Sequence, residues 1–432
     1  MEPRMKWQQL KRHAWLPPLE MAARMPVEAD MALLYSGRTE MHTGRTSYLA
    51  VEAAQHSMGS QWSDLPPTSD AVGALPDWIG YVGYGMHTLS RAGHAEAPAP
   101  VPMPDFWLTR HQRLFVFDHE SQTLDEYGRF HATAPLALEA NVAAPCPAVE
   151  RLASNMTRAQ YEDAVRATVH AIERGDFYQA NITRKFHGQF AAAPDALGLF
   201  TALCAASPAP YSALLRHGEQ AILSSSPECF LTVDALGTIT TRPIKGSIRR
   251  GMNEAEDAAL KKALAASAKN LAENLMIVDL MRNDLAQVSE VGSVKVAEQS
   301  GLYSYATIHH LISTVQAQKQ AGASSYDVVR ACFPPGSMTG APKKAAVQWC
   351  DAQEGMARGV YSGAIGWFGA HGQCDLSVVI RTLVMQGAAF EFQVGGGIVA
   401  ESTPEDEWRE TLVKARGIAT ALGITESELE KL

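Results

Sequence analysis

The sequence predicts an α+β fold with antiparallel sheets, on three observations. Short β-rich runs follow one another between residues 176 and 250 and again between residues 360 and 395, separated by turn residues. Helical segments interrupt these runs without a regular strand–helix alternation, which argues against a parallel sheet. The 432 residues are enough for two domains or one large one.

Capping residues mark three helix starts. These are Thr157 with Gln160, Asn253 with Glu256, and Thr403 with Pro404 in the first helical position. The stretch after Asn253 is long, and its second half is apolar on nearly every side. We therefore expect one continuous helix there, buried in its second half.

An Ala- and Pro-rich segment, residues 131–150, shows no clear period and is interpreted as a linker. It would separate a smaller N-terminal region, residues 1–145, from a larger C-terminal region, residues 155–425. Most of the segments that could carry chemistry lie in the larger region.

The formal net charge of −9 argues against a nucleic-acid partner, because no basic run offsets it. It also means that an anionic substrate would need local cations or a metal ion to hold it.

Six cysteines are scattered without C-x-x-C spacing, which disfavours a zinc site or a disulfide framework and fits a reducing cytosol. The N-terminus has basic residues but no apolar core of a signal peptide. No stretch approaches the roughly eighteen apolar residues of a membrane span. We expect a cytoplasmic protein without a membrane partner.

Lys245 lies where a strand is expected to run into a glycine-containing turn, so its side chain could reach into a cleft. As a nucleophile it must lose its proton, and an unperturbed lysine is neutral in only about one molecule in two thousand at pH 7. The alternative is an ordinary solvated lysine on the surface.

Three residues of the final helix, Glu407, Glu410 and Lys414, share one face at spacings of i, i+3 and i+7. Paired carboxylates are good ligands for Mg²⁺. The alternative is a solvated face with a Glu–Lys ion pair. Glu273 enters an apolar helix, where either a metal ion or a salt bridge would have to satisfy its carboxylate.

Two glycine-rich segments, residues 336–343 and 395–397, could bring backbone N–H groups close to an anion. Neither matches the phosphate-binding loop or the dinucleotide fingerprint. Taken alone, they are weak evidence of a binding site.

Nine segments, all between residues 155 and 425, occur in one collinear order that carries a family resemblance. They are GDFYQANITRKF, SSSPECF, RPIKGSIRRG, AENLMIVDLMRNDL, HHLIST, GSMTGAPK, YSGAIGWF, SVVIRTL and VGGGIVAESTPEDEWRETLVKA. Together they resemble the chorismate-using family, which includes anthranilate, isochorismate, salicylate and aminodeoxychorismate synthases. The resemblance identifies residues 155–425 as a chorismate-binding catalytic domain.

The resemblance implies two antiparallel β-sheets that form a sandwich flanked by helices, as in anthranilate synthase component I. The N-terminal region would wrap into the same body and could form a pocket for a bound tryptophan. The pocket residues implied are Ser36, Thr43, Gly44, Arg45, Thr46, Pro210, Tyr211 and Ser212.

The residues at two positions distinguish the activities within the family. Members that add water resemble one another in carrying a lysine where this chain has Gln179, so Gln179 implies ammonia as the nucleophile. Anthranilate synthases and the water-adding members have alanine where this chain has Lys245. The Pro-Ile-Lys-Gly motif resembles the aminodeoxychorismate branch, which makes 4-amino-4-deoxychorismate for 4-aminobenzoate and folate.

The resemblance also implies roles for individual residues. The catalytic residues would be Lys245 as nucleophile, Glu228 as general acid and His310 near the leaving oxygen. Substrate would be bound by Gln179, Thr339, Gly340, Ala341, Tyr361, Arg381, Gly396, Gly397 and Lys414. The cofactor Mg²⁺ would be held by Glu273 and Glu410, with Glu407 acting through water. Asn270 departs from the family pattern, where a carboxylate is common, so the outer metal shell could differ.

Chorismate and ammonia are the implied small-molecule partners. The chain has no cysteine in a Gly-x-Cys-x-Gly turn, so a separate glutamine amidotransferase subunit is expected to supply the ammonia. Two rival functions remain, namely anthranilate synthase component I and a non-catalytic regulator that binds chorismate or tryptophan. Lys245 argues against the first, and its combination with Glu228 argues against the second.

Overall fold

The computed structural model describes residues 6–26, 29–37, 44–67, 75–89, 97–129, 136, 138, 145–305 and 308–432. These ranges form twenty strands and nine α-helices. The strands are β1 (Gln8–His13), β2 (Met31–Tyr35), β3 (Thr46–Gly59), β4 (Pro76–Val82), β5 (Phe106–Asp118), β6 (Thr123–Gly128), β7 (Val149–Ser154), β8 (Gln179–Phe190), β9 (Tyr211–His217), β10 (Gln220–Ser226), β11 (Cys229–Val233), β12 (Thr238–Thr241), β13 (Ile244–Arg249), β14 (Lys295–Ser304), β15 (Ile308–Gln318), β16 (Gly340–Ala341), β17 (Ala364–Gly369), β18 (Cys374–Val378), β19 (Thr382–Gln386) and β20 (Ala389–Ile398). The helices are α1 (Pro18–Ala22), α2 (Arg158–Glu173), α3 (Ala196–Ala206), α4 (Glu254–Ala265), α5 (Ala268–Ala286), α6 (Ser325–Cys332), α7 (Lys343–Glu354), α8 (Pro404–Leu422) and α9 (Glu426–Glu430).

The strands form two antiparallel layers. In the first layer the order of neighbours is β7-β8-β20-β19-β10-β9-β2. In the second layer it is β4-β17-β18-β11-β12-β15, and β13 and β14 both pair with β15. The long strands β3 and β5 pair with each other and join the layers, because β3 also pairs with β2 and β5 with β4.

Apolar side chains from both layers fill the space between them. Ala213 and Ile222 of the first layer pack with Tyr81 and Ile365 of the second. On the outer faces, α2, α3 and α8 cover the first layer, while α5 and α6 cover the second. This arrangement confirms the predicted α+β sandwich flanked by helices.

Strands from both ends of the chain share these layers. β2 pairs with β9, and β4 pairs with β17. Much of the predicted linker lies outside the described residues, and β7, which begins at Val149, already pairs with β8.

The predicted helix starts are confirmed. Thr157 and Gln160 form the capping box of α2, and Thr403 caps α8, which begins at Pro404. Asn253 caps α4, as its side chain accepts a hydrogen bond from the backbone N–H of Glu256.

The prediction of one long helix after Asn253 is wrong. The stretch divides into α4 and α5, because the hydroxyl of Ser267 accepts a hydrogen bond from the N–H of Asn270 and starts a new helix. The second half is also not buried on all sides. Leu271 and Leu275 remain 36% and 46% exposed, and only one face of α5 packs on the second layer.

All six cysteines lie in the described part of the chain and are unpaired; five are buried and Cys146 is exposed. Within the described ranges, none of the helices combines the length and apolar character that a membrane crossing requires.

Candidate active site

Lys245 is the second residue of β13, at an irregularity in the pairing of β13 with β15. Its neighbour Gly246 has a φ of +87°, and a Cβ there would lie 3.0 Å from Cβ of Asn270. Glycine therefore permits both the backbone turn and the close approach of α5. The sequence predicted that a strand ends in a turn at this point. Instead, the strand continues, and Lys245 lies at a bulge inside β13.

Nζ of Lys245 lies 3.8 Å from Oε2 of Glu273, and both side chains are less than one-fifth exposed. The sequence left open whether a metal ion or a salt bridge satisfies the carboxylate of Glu273. In the structure it forms a salt bridge with Lys245. Lys245 is not the solvated surface lysine of the simpler interpretation.

Two glycines of β20, Gly396 and Gly397, lie beside Lys245, and we call the space around them the cleft. A Cβ on Gly397 would lie 2.9 Å from Nε2 of Gln179 and 3.4 Å from Nζ of Lys245. A Cβ on Gly396 would lie 2.5 Å from Oε2 of Glu407 and 3.5 Å from an oxygen of Glu410. The absence of side chains on these glycines therefore leaves open the space that a lysine, an amide and two carboxylates surround.

The sequence offered two interpretations of the acidic face of α8, a pair of metal-binding carboxylates and a solvated face with a Glu–Lys ion pair. The structure shows features of both. Glu410 pairs with Lys414 at 2.6 Å, and Lys414 also donates to the carbonyl of Gly395 at 2.8 Å. Glu407 is instead buried, and one of its oxygens accepts from Ser402 at 2.6 Å. The face is thus buried at Glu407, whereas the side chains of Glu410 and Lys414 remain 47% and 39% exposed.

The two carboxyls of α8 differ in their electrostatics. Burial, together with the neighbouring Glu410, raises the pKa of Glu407 against the opposing hydrogen bond from Ser402. Burial also acts to raise the pKa of Glu410, but the ammonium groups of Lys414 and Lys245 outweigh it, so that pKa is lowered. Glu410 therefore stays ionised and is the better candidate for a cation ligand.

The donor set fits a hard divalent cation. Oε2 of Glu407 is buried and has no hydrogen-bond partner among the described residues. Glu273 and Glu410 supply two further carboxylates, each held by a lysine. Mg²⁺ usually takes only one or two carboxylates and completes its shell with waters and substrate oxygens.

Glu228 lies between β10 and β11, immediately before Cys229, and is 8% exposed. Burial raises its pKa to about 7, although a hydrogen bond from the hydroxyl of Ser337 and the charges of Lys245 and Lys414 act in the opposite direction. A carboxyl with this pKa is protonated in a large fraction of molecules near neutral pH, as a general acid requires.

His310 lies on β15 opposite Ser247 of β13. Its Nδ1 is 2.6 Å from the hydroxyl of Ser247, which is two residues beyond Lys245. The pairing of β13 with β15 thus brings the predicted histidine to the lysine-bearing strand.

The turn before α7 carries three predicted substrate-binding residues. Gly340 and Ala341 form β16, which pairs with Ala180 and Gln179 of β8, and the carbonyl of Thr339 accepts from the N–H of Asn181 at 2.8 Å. The amide of Gln179 is buried, and neither its oxygen nor its nitrogen has a partner among the described residues. A bound group could satisfy both atoms.

Tyr361 and Arg381 are the remaining predicted substrate-binding residues. Tyr361 is buried, which raises its pKa. Arg381 has a φ of +51°, and burial lowers its pKa. Its Nη1 lies 3.5 Å from the hydroxyl of Ser207, which lies against Gly417 on α8, one turn beyond Lys414.

The sequence analysis missed four residues that support the site. Ser337 and Ser402 hydrogen-bond Glu228 and Glu407, and Lys269 lowers the pKa of both Glu407 and Glu410. Arg358 donates to the carbonyls of Met338 and Asn181, each at 2.8 Å. Of these four, only Ser337 lies in a glycine-rich segment, residues 336–343, that the sequence analysis had singled out as a candidate binding site.

Arg358 is held by Glu354, at 2.6 Å, and both side chains are 2% exposed or less. Because its guanidinium joins the turn before Thr339 to β8, this buried pair fixes the position of the predicted substrate-binding turn. It is a positioning pair rather than a catalytic one.

A second cavity, of about 230 Å³, lies between the two layers. Its lining includes most of the predicted tryptophan-pocket residues: Ser36, Gly44, Arg45, Thr46, Pro210, Tyr211 and Ser212. Thr43 lies outside the described residues. Asp375 and Arg242 also line the cavity, and Oδ1 of Asp375 and Nε of Arg242 have no partner among the described residues.

The structure defines an α+β sandwich protein whose cleft is lined by carboxylates, lysines and the buried Glu228. A family model described as chorismate binding enzyme matches residues 19–420. The chain belongs to this family.

Curated relatives carry two different names. A protein from Streptomyces griseus, "Aminodeoxychorismate synthase", is 38% identical over 90% of this chain and 57% of its own length. "Aminodeoxychorismate synthase component 1" of Salmonella typhimurium is 35% identical over 88% of this chain and 85% of its own. "Anthranilate synthase component 1" of Pseudomonas aeruginosa is 34% identical over 82% and 76%. The chain thus spans little more than half of the Streptomyces relative.

Among solved structures, anthranilate synthase component I from Streptococcus pneumoniae matches with a TM-score of 0.75. It covers 96% of this chain and 100% of its own, at 22% sequence identity. This likeness confirms the fold that the sequence predicted.

Proposed function

We propose that this chain converts chorismate and ammonia to 4-amino-4-deoxychorismate. The observation that carries the proposal is the position of Lys245 in the cleft, beside Gly397 and Gln179 and 3.8 Å from Glu273. A lysine held among glycines and carboxylates can reach a bound ring. Gln179 has no basic form that could activate a water molecule.

In this mechanism Nζ of Lys245 attacks ring carbon C2, and the ring double bonds shift toward C4. The C4–O bond breaks, and Glu228 gives its proton to the departing oxygen, which leaves as water. Ammonia then attacks C4, the double bonds shift back, and the C2–N bond breaks, so that Lys245 leaves as a neutral amine. The new ammonium at C4 returns one proton to Glu228. The pKa of about 7 supports Glu228 as the acid, because hydroxide is a poor leaving group.

Mg²⁺ is proposed as the cofactor, held by Glu273 and Glu410 with Glu407 nearby. When bound, it would offset the charge of the substrate's ring carboxylate. Lys245 and Lys414 are ion-pair partners of Glu273 and Glu410, so a cation would compete with them for these carboxylates. Asn270, which packs beside Gly246, would contribute a neutral side chain near Glu273.

The remaining predicted residues would bind the substrate. Thr339, Gly340 and Ala341 would orient the ring carboxylate, while Tyr361, Arg381 and the backbone at Gly396 would meet the enolpyruvyl carboxylate. A glutamine amidotransferase subunit is proposed as the source of ammonia.

The rival function is anthranilate formation, since relatives with that name also match. Purified protein with chorismate, Mg²⁺ and ammonium should form 4-amino-4-deoxychorismate, identified by mass after chromatographic separation. Anthranilate as the main product would contradict the proposal, and no conversion at all would favour a chorismate-binding regulator.

For the second cavity we propose tryptophan as the occupant. Asp375 and Arg242 are half-buried and offer a negative and a positive group, which complement the ammonium and carboxylate of an amino acid. Calorimetric titration with tryptophan should show binding to the wild type that is weakened in Asp375→Asn. Equal binding by the two proteins would exclude this cavity as the site.

A further inference from the structure

Three metal-ligating side chains meet at the edge of the first layer, where β2 begins and β9 ends. Asp30 immediately precedes β2, His217 is the last residue of β9, and His56 lies on β3. One ligand atom from each lies within 4.8 Å of the other two. In the described part of the chain, this is the one group of three such residues gathered so closely.

Strand pairing builds this cluster. β2 lies between β3 and β9, and the pair of Met31 with Arg216 places Asp30 beside His217. Oδ2 of Asp30 is 2.5 Å from Nδ1 of His217, and the His56 and His217 rings have centroids 4.3 Å apart. Because the three residues come from separate strands, no local spacing in the sequence indicates them.

The groups around the cluster suit a metal site. Nδ1 of His56 accepts from the indole N–H of Trp107 at 3.3 Å and lies 3.1 Å from the hydroxyl of Thr109. Binding of an ion at Nε2 would move the ring proton to Nδ1, where the hydroxyl of Thr109 can accept it, as the second ring N–H of a histidine ligand usually requires. Arg216, the nearest arginine in sequence, donates to the carbonyls of Pro26 and Ala29.

A small cavity adjoins the three side chains. It holds about 30 Å³, and its lining combines Asp30, His56, His217, Thr109 and His111 with apolar side chains that include Met31, Ile79 and Leu215. A water molecule needs roughly 10–15 Å³ of such space, so the cavity has room for water beside the three side chains.

We propose that Asp30, His56 and His217 bind a divalent transition cation, Zn²⁺ above all, at a site separate from the glutamate-lined cleft. Two imidazoles and one carboxylate are typical zinc ligands, whereas Mg²⁺ prefers oxygen alone. Ligand atoms around tetrahedral zinc lie about 3.3 Å apart, so atoms within 4.8 Å of one another approach by up to about 1.5 Å when the ion binds. The ion would tie β2, β3 and β9 together.

Calorimetric titration of the full chain, free of any histidine tag, tests the site with ZnCl₂ in excess Mg²⁺. We expect one Zn²⁺ per chain, with the affinity lowered roughly tenfold or more in His56→Gln and Asp30→Asn. His170→Gln is the matched control, because His170 forms an exposed pair with Glu173 outside the cluster. Its affinity should equal that of the wild type. Absence of stoichiometric binding, or equal binding by all four proteins, would overturn the proposal.

A second measurement needs no variant and so does not depend on variant folding. Zn²⁺ should protect His56 and His217 of the wild type from diethyl pyrocarbonate, with the modified residues mapped by peptide mass. His170 should react equally with and without Zn²⁺. Equal modification of His56 and His217 in both conditions would overturn the site.

Discussion

Nζ of Lys245 and Oε2 of Glu273 lie 3.8 Å apart, so the candidate nucleophile on β13 faces a candidate metal ligand on α5. The contact depends on Gly246, whose missing side chain lets Asn270 and α5 approach the strand. A Cβ at Gly397 would lie 3.4 Å from the same Nζ. One lysine thus connects both walls of the cleft.

Glu228→Gln should lower kcat by about 10²–10⁴-fold, because the amide keeps the shape of the side chain but cannot give a proton to the leaving oxygen. Chorismate binding should change little. Steady-state kinetics with ammonium check this, and Glu405→Gln makes the same chemical change at an exposed site on α8. An unchanged kcat in Glu228→Gln would exclude Glu228 as the acid.

The pH profile follows from the pKa of about 7 for Glu228. Since the protonated carboxyl is the active form, the fraction of active Glu228 should fall about tenfold per unit above that pKa, so kcat at a fixed concentration of free ammonia should show a falling limb there. Steady-state rates measured from roughly pH 6 to pH 9 check this. The falling limb should disappear in Glu228→Gln, and its persistence there would assign the limb to another group.

Glu410→Gln should raise the Mg²⁺ concentration that gives half-maximal rate, because a candidate ligand with a lowered pKa is replaced by a neutral amide. We expect a shift of about tenfold or more. Mg²⁺ titrations of the rate check this, again with Glu405→Gln as the control. A normal Mg²⁺ requirement with a normal rate would remove Glu410 from the ligand set.

Arg358→Met should lower the free energy of unfolding by about 3–5 kcal/mol, because it leaves the buried carboxylate of Glu354 without its partner. Arg409→Met removes an exposed Glu–Arg pair with the same i,i+4 spacing and should cost at most about 0.5 kcal/mol. Urea unfolding of both variants measures the difference. Equal decreases in the free energy of unfolding would show that the buried pair does not stabilise the turn before Thr339.

Much of the fold was predictable, because capping and alternation are local signals. The capping box at Thr157 and the cap at Thr403 predicted correct helix starts. The break between α4 and α5 was missed, because the hydroxyl of Ser267 competes with helix continuation inside a stretch of good helix formers. The exposure of Leu271 could not follow from composition, since the second layer contacts only one face of α5.

The site was predictable only where one segment carries its own pattern. The Pro-Ile-Lys-Gly motif pointed to Lys245, and spacing pointed to Glu410. The hydrogen bond from Arg358 to Asn181 and the cluster of Asp30 with two histidines each join residues that are far apart in the chain. Such contacts arise from strand pairing, which periodicity alone does not specify.

The most direct test of the proposed mechanism is the mass of the protein after incubation with chorismate and Mg²⁺ in the absence of ammonia. If Lys245 attacks the ring, the chain should gain the mass of chorismate less water, and the gain should map to the peptide that contains Lys245. Ammonium should then release it, and Lys245→Ala should not acquire it. An unmodified Lys245 under these conditions, together with a fully active Lys245→Ala, would contradict the account.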